Sequence, residues 1–343
     1  MKNPHTIHWC QVCNLLTVSR RCPICRNEVS KLDLENRGRL IPLTQANVLG
    51  ICSSIDQNYG EGCGKRVLPD DSVSFLDSTN DHSDIIVSGA KVGRVKNGNV
   101  TLNLSGLNSV NGFVAKNIVK CDHDSSYFVK KGHNLMVTGV REASPGLKKG
   151  DPVIIQNEKG RAIATGIMRM SSEEISKNDR GVAVSSIKSD SPHNCMNVHP
   201  HSWKDTMEVN RPTVEDSARM AVRNIKDLVS SYGSNVVIRL TGDIRDEAAL
   251  LLIMDAGFIP KVIIEKRDDF IDYLLERYVL ETVNSIPDSC ILVADTYDGS
   301  NPGVVHHYPV SEWEPSMVWL YVFIKAVPFH PFYTRNIWNQ NIE

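Results

Sequence analysis

The sequence predicts a multidomain α+β protein, and three observations carry that expectation. Two C-x-x-C pairs sit within the first 30 residues, the middle of the chain reads as short strands punctuated by turn residues, and strands alternate with helices beyond residue 205. At 343 residues the chain has room for several cores. Its 41% apolar and 23% charged content is that of a globular protein. No apolar run reaches the roughly 18 residues of a membrane span, and the opening MKNPHTIHWC holds no signal-type apolar stretch. The expected compartment is the cytoplasm, where clustered cysteines usually mean metal binding or catalysis.

The first element, residues 1–30, reads as a zinc ribbon. Cys10-x2-Cys13 and Cys22-x2-Cys25 are separated by eight residues. Each pair suits a tight knuckle, and together they supply the tetrahedral four-sulfur shell that zinc prefers. So short a segment cannot bury enough apolar surface to fold by itself, so a structural Zn2+ would provide its folding energy. Arg20, Arg21 and Arg26 flank the second pair and would balance a dianionic centre. A redox dithiol would need one pair on a βα turn, not two in a ribbon. Four thiolates leave no open position for a substrate, so no catalytic role is expected. Cys52 and Cys63 could form half of a second site, but no further C-x-x-C supports one. With Cys121, Cys195 and Cys290 they read as buried or incidental thiols.

Residues 31–120 read as a β-rich spacer of short strands. Its clearest hairpin is DIIVSGAKVGRVKNGNVTLNL, with Asn97-Gly98 as a strong turn signal. No chemistry is expected there. The net charge of −2 is unevenly spread: residues 127–188 carry an excess of five cations and residues 1–30 an excess of three, leaving about −10 for the rest. Two basic modules on an otherwise acidic protein suit a nucleic-acid-binding half, although a solvated surface would give the same count.

Residues 121–190 change texture to short strands, closely spaced glycines and lysine-bearing turns. The order runs from Gly132-His133-Asn134-Leu135-Met136 to Gly139, then the turn Leu147-Lys148-Lys149-Gly150-Asp151 and the strand Val153-Ile154-Ile155. Gly160, the strand through Ala164 and Gly166, and Gly181-Val182-Ala183-Val184 complete it. Over about sixty residues this resembles a PUA domain, the small pseudo-barrel of many RNA-modifying enzymes, with Thr138 where proline is usual. The resemblance implies RNA as a partner, typically a tRNA stem or end. Lys130, Lys131, His133 and Asn134 would then be the contact residues, the cations on phosphates and the backbone close to the sugar edge.

The region 205–343 opens on an amphipathic helix over 212–232, with Val214, Ala218, Ala221, Val222, Ile225 and Val229 on one face. Strand Val236–Leu240, the turn Thr241-Gly242-Asp243, a helix through Leu250 to Met254, strand Val262–Ile264, a helix from Asp269 to Thr282 and strand Cys290–Ala294 follow. Such alternation predicts a parallel sheet covered on both faces. Ligands would bind beyond its strands' carboxyl ends, at Thr241-Gly242-Asp243, Glu265-Lys266 and Asp295-Thr296. The preceding linker holds His193, Cys195, His199 and His201 at no standard metal spacing. His306 and His307 read as surface residues, and Trp313, Trp319, Tyr321 and Phe332 as core aromatics.

The closing run, from Tyr308-Pro309 and Trp313 through Val318-Trp319-Leu320-Tyr321 to Pro328, Pro331 and Tyr333, is similar to phosphoadenosine phosphosulfate (PAPS) reductase-like proteins. These belong to the adenine-nucleotide PP-loop superfamily, and some archaeal members place a zinc ribbon and a PUA domain ahead of the PP-loop domain. A working PP-loop reads Ser-Gly-Gly-x-Asp-Ser and cradles pyrophosphate at a helix N-terminus. Here only Thr241, Gly242 and, with an extra loop residue, Asp246 remain as vestigial nucleotide-binding positions. Asp243 and Glu247 bring negative charge where phosphate should sit; a like charge at about 4 Å costs roughly 1 kcal/mol even in water. They suit a helix start better. The nucleophilic cysteine expected beyond the final tyrosine is missing from TRNIWNQNIE.

The expectation is an RNA-binding protein, with tRNA as its usual partner, whose α/β domain is an inactive scaffold or protein-partner surface in RNA modification or thiolation. The rival is an active PP-loop enzyme, a PAPS reductase or an ATP-dependent tRNA sulfurtransferase.

Overall fold

A computed structural model describes residues 6–34, 39–70, 72–79, 81–110, 116–187, 201–294 and 303–327. By internal packing the chain divides into two compact units. One comprises residues 1–8, 17–34 and 204–333, the other 9–16, 35–203 and 334–343. Among the described residues, no helix is long and apolar enough to cross a membrane.

The N-terminal ribbon is a three-stranded sheet of β1 (Thr6–Cys10), β2 (Leu15–Thr17) and β3 (Ser30–Asp33), in the order β2-β1-β3. Asn14 and Arg26 adopt left-handed backbone conformations (φ 49° and 64°), each one residue after a C-x-x-C pair. Trp9 Nε1 donates to Asn14 Oδ1 at 3.0 Å, which closes the first knuckle over a buried indole.

The spacer is a meander of five antiparallel strands: β4 (Arg39–Pro42), β5 (Ser74–Ser78), β6 (Ser83–Val87), β7 (Ala90–Lys96) and β8 (Asn99–Leu102). Asn97 and Gly98 take φ 50° and 73°, the two left-handed residues of the expected hairpin turn. The spacer is less purely β than its turn-rich texture suggests. Residues 45–59 form helix α1 (Gln45–Tyr59), followed by α2 (Cys63–Val67) and, after β8, α3 (Leu104–Ser109). The reason is local. Thr44 caps α1 by accepting from Asn47 N, and Ile51, Ile55 and Tyr59 recur at four-residue spacing on its buried face. Cys52 and Cys63 are buried thiols, as expected.

Residues 118–187 form a six-stranded sheet. Its strands are β9 (Ile118–Cys121), β10 (Leu135–Met136), β11 (Val140–Ala143), β12 (Pro152–Gln156), β13 (Ala162–Met168) and β14 (Val182–Ile187), in the order β10-β14-β13-β12-β9-β11. Helices α4 (His123–Lys130) and α5 (Ser172–Lys177) close it. All neighbours are antiparallel except β9 and β12. Val119, Leu135, Val153, Ile155, Met168 and Val184 lie in its core. Gly166 is where a side chain has no room: a Cβ there would sit 2.7 Å from Ser185 O and 2.4 Å from Val184 Cγ1.

The C-terminal region opens with α6 (Trp203–Tyr232), which starts nine residues before the expected 212. A proline ring favours the first turn of a helix, but Pro212 lies inside this one, whose buried stripe already includes Thr206 and Asn210. Strands β15 (Val236–Leu240), β16 (Lys261–Ile264), β17 (Cys290–Val293) and β18 (Val304–His307) form a wholly parallel sheet ordered β16-β15-β17-β18. Helices α7 (Ile244–Asp255), α8 (Asp269–Tyr278) and α9 (Pro315–Ile324) accompany it. Helix α8 stops at Tyr278 rather than Thr282, because Val279 turns left-handed (φ 51°) and Thr282 bridges to Val262.

His306 is exposed, as expected, and His307 is half-buried; both end β18, where pairing with β17 fixes them. His306 Nε2 lies 2.7 Å from Ala294 O, and burial lowers the pKa of half-buried His307. Trp313, Trp319 and Tyr321 are core aromatics, as expected. Phe332, Pro328–Tyr333, the 334–343 tail, Asp295-Thr296, His193, Cys195 and His199 lie outside the described residues.

Candidate nucleic-acid interface

Helix α4 is started by Asp122, whose side chain accepts from Ser125 N at 2.7 Å. It ends abruptly because Gly132 turns left-handed (φ 89°), and Lys131 N and His133 N both donate to Phe128 O. That tight end places Lys130, Lys131, His133 and Asn134 consecutively on an exposed corner leading into β10. The structure thus brings together all four residues expected there. Ser186 of β14 donates its hydroxyl to His133 O and ties the corner to the sheet.

The corner also holds apolar groups. Tyr127 and Phe128 are 59% and 54% exposed, and Met136 is 46% exposed. Their rings meet edge to face at 5.6 Å, and Phe128 meets the His133 ring the same way at 6.1 Å. Lys131 Nζ lies 4.1 Å from the centre of the Tyr127 ring and 2.6 Å from its hydroxyl. Two exposed aromatic rings, two ammonium groups and an imidazole can stack a base while meeting phosphates. Sequence reasoning missed the aromatic pair. The available signal was Tyr127-Phe128 just ahead of Lys130-Lys131 at a helix end, too short for periodicity to show which face is buried.

The four ribbon cysteines converge: their sulfurs all lie within 4.8 Å of one another and could hold a metal ion. Cys13 N donates to Cys10 Sγ at 3.4 Å, and Arg26 N donates to Cys22 O at 2.9 Å, the knuckle pattern the spacing implies. A tetrahedral shell with metal–sulfur bonds near 2.3 Å needs sulfurs about 3.8 Å apart. The donor set therefore fits such an ion with little adjustment.

In the parallel sheet, β15 lies between β16 and β17, so successive connections leave it in opposite directions. The crevice at that switch point is where ligands of such sheets bind. The loop Thr241–Asp243 lies there. Its donors are already engaged: Asp246 Oδ2 accepts from Thr241 N (2.6 Å), Thr241 Oγ1 (3.1 Å), Gly242 N (2.9 Å) and Asp243 N (3.3 Å). Thr241, Gly242 and Asp246 are thus brought together by the loop's own carboxylate. Burial pushes Asp246 up to about 7 against the pull of these donors. Asp268 closes the other side, since a Cβ on Gly242 would lie 2.6 Å from its Oδ2.

Asp243 turns to cap α7 by accepting from Arg245 N at 2.9 Å. Glu247 faces away, accepting from the Tyr278 hydroxyl at 3.1 Å, and burial pushes it up to about 7.

Comparison with known proteins bears on the middle of the chain. The family model described as PUA domain matches residues 117–189. Residues 117–189 form a PUA domain. The aromatic and basic corner at α4 and β10 is therefore a feature of this PUA domain. Over 267 residues, 73% of the chain, it is 22% identical to the uncharacterized protein MJ0066 of Methanocaldococcus jannaschii. Over 62 residues, 18% of the chain, it is 40% identical to glutamate 5-kinase of Aquifex aeolicus. The chain spans 55% and 17%, respectively, of the length of these two relatives. Among solved structures, a conserved PUA domain protein from Thermoplasma acidophilum is 17% identical, with a TM-score of 0.37 over 47% of this chain and 99% of that one.

Proposed function

We propose that this protein binds structured RNA, tRNA in particular, through the α4–β10 corner of its PUA domain, as a cytoplasmic partner in RNA modification. The observation that carries this reading is the exposed pair Tyr127 and Phe128 beside Lys130, Lys131 and His133. Solvent-exposed aromatics on a rigid basic corner are costly to leave uncovered, and RNA offers both stackable bases and phosphates. Zn2+ would hold the ribbon through Cys10, Cys13, Cys22 and Cys25, as a structural ion with no open coordination site. The four domains expected from the sequence, 1–30, 31–120, 121–190 and 205–343, are retained in this reading.

The C-terminal region is read as a PAPS reductase-like domain that works as a scaffold or partner surface. The support is the Asp246 carboxylate seated on the loop amides, where a nucleotide phosphate would have to bind. Displacing it would place two anions against one set of donors. An active PP-loop enzyme remains the alternative; ATP–pyrophosphate isotope exchange lost in Gly242→Ala would establish it.

The direct test is fluorescence anisotropy with a tRNA transcript over a salt series. Lys130→Ala with Lys131→Ala should lower the slope of log K against log salt by up to about 2. Tyr127→Ala with Phe128→Ala should weaken binding by about 1–3 kcal/mol for each base stacked, with the slope retained. Unchanged binding in both variants would refute the proposal.

A further inference from the structure

Within the C-terminal unit, α6 and α9 border an open groove of about 740 Å3. Arg211, Arg219, Arg223 and Lys226 of α6 and Lys325 at the end of α9 line it, against Glu215, Asp227 and Asp255. Three of these cations are paired: Arg211 with Glu215 at 3.4 Å, Arg219 with Asp216, and Lys325 with Asp255 at 2.6 Å. Arg223 and Lys226 are exposed and make no ion pair among the described residues.

The shape of this charge indicates the ligand. From Arg211 to Lys226 the stripe runs about 22 Å along the helix axis at 1.5 Å per residue. A small ligand needs polar groups converging on one point. Here the cations are strung out, and the groove's one buried hydroxyl, on Tyr321, is committed to Asp255 at 3.1 Å. A docked protein helix would need an apolar floor. Ala218 and Tyr321 are only 8% and 2% exposed and Val222 and Ile324 are half-buried, so the apolar floor is narrow and rimmed by charge. What remains accessible is a rim on which cations outnumber carboxylates and Arg223 and Lys226 are unpaired among the described residues, the chemistry that meets phosphates.

We propose that this groove binds the phosphate backbone of RNA, as a contact separate from the PUA corner. The inference rests on the RNA-binding reading above. Its test uses the full chain and a tRNA transcript, with affinity measured from low salt to 0.2 M. Arg223→Gln with Lys226→Gln should weaken binding roughly tenfold near 0.15 M salt and lower the salt slope by up to about 2. The charge-conserving pair Arg223→Lys with Lys226→Arg should retain the slope, which separates lost charge from lost folding. If the Gln pair binds as wild type while Lys130→Gln with Lys131→Gln loses affinity, the groove proposal fails and the PUA reading stands. A wild-type chain that binds no RNA overturns both. Loss of poly-glutamate binding in the Gln pair, with RNA binding unchanged, would make the groove a site for acidic protein instead.

Discussion

Single residues show how far spacing can be read and where it stops. The cysteine quartet was legible because each C-x-x-C pair encodes its own knuckle, and the left-handed Asn14 and Arg26 complete those turns. Asp243 and Glu247 were legible only as negative charge near a helix start, and Asp246 only as a vestigial nucleotide-binding position. Their three different orientations, onto the helix cap, the loop amides and Tyr278, depend on packing that no local pattern specifies. Glu247 gives a pH-dependent consequence. Its carboxyl is held up to about 7 in the fold, against an ordinary value of 4.5. Between those values the folded state keeps a proton that the unfolded state has lost, so this group's contribution falls as pH rises from about 4.5 to 7 and stays low above that. Glu247→Gln removes the titration while leaving an acceptor for Tyr278. Melts at pH 5.5 and 7.5 should show the variant gaining several degrees on wild type at the higher pH; an equal difference at both would refute the assignment.

At the scale of elements, strands β15, β16 and β17 and helices α6, α7 and α8 were readable because buried strands are continuous apolar runs and buried helices repeat on one face. Helix α1 was missed because Gly50 and polar residues interrupt a stretch whose helical period shows only at Ile51, Ile55 and Tyr59. Strand β18 was missed because Val-Val-His-His is too short to signal pairing that comes from β17. Two outcomes belong here. Gly166→Ala should force β13 from β14 and cost about 1–3 kcal/mol, read as a lower denaturant midpoint with an unchanged m-value. A strong chelator should strip one zinc per chain and raise amide exchange across residues 6–34, as should Cys22→Ser, with the 118–187 sheet still protected. Full protection of the ribbon without metal would show that it folds on packing alone.

For the molecule as a whole, charge distribution was the more informative guide, and net charge the less. A value of −2 suggests no polyanion partner, yet the regional excess places cations on the PUA domain. The chain should bind RNA with a steep salt dependence while showing no ATP–pyrophosphate exchange above background. Exchange at enzyme-like rates would refute the scaffold reading. Buried charge also stabilises the spacer. Asp84 of β6 pairs with Arg94 at 2.7 Å and Lys91 at 3.1 Å; burial opposes its charge, but these cations hold its carboxyl below the usual range. Its contribution is present at neutral pH and lost as pH falls through that lowered value, the opposite sign to Glu247.

The loop that accommodates Asp246 has one further implication. A nucleotide-binding loop normally becomes fully ordered only when its metabolite arrives, so any process it serves follows the cell's energy charge. In this loop Asp246 of the same chain already accepts from the amides of Thr241 and Gly242. On the scaffold reading, RNA capture by this protein would continue through starvation, set by the supply of RNA and not of ATP.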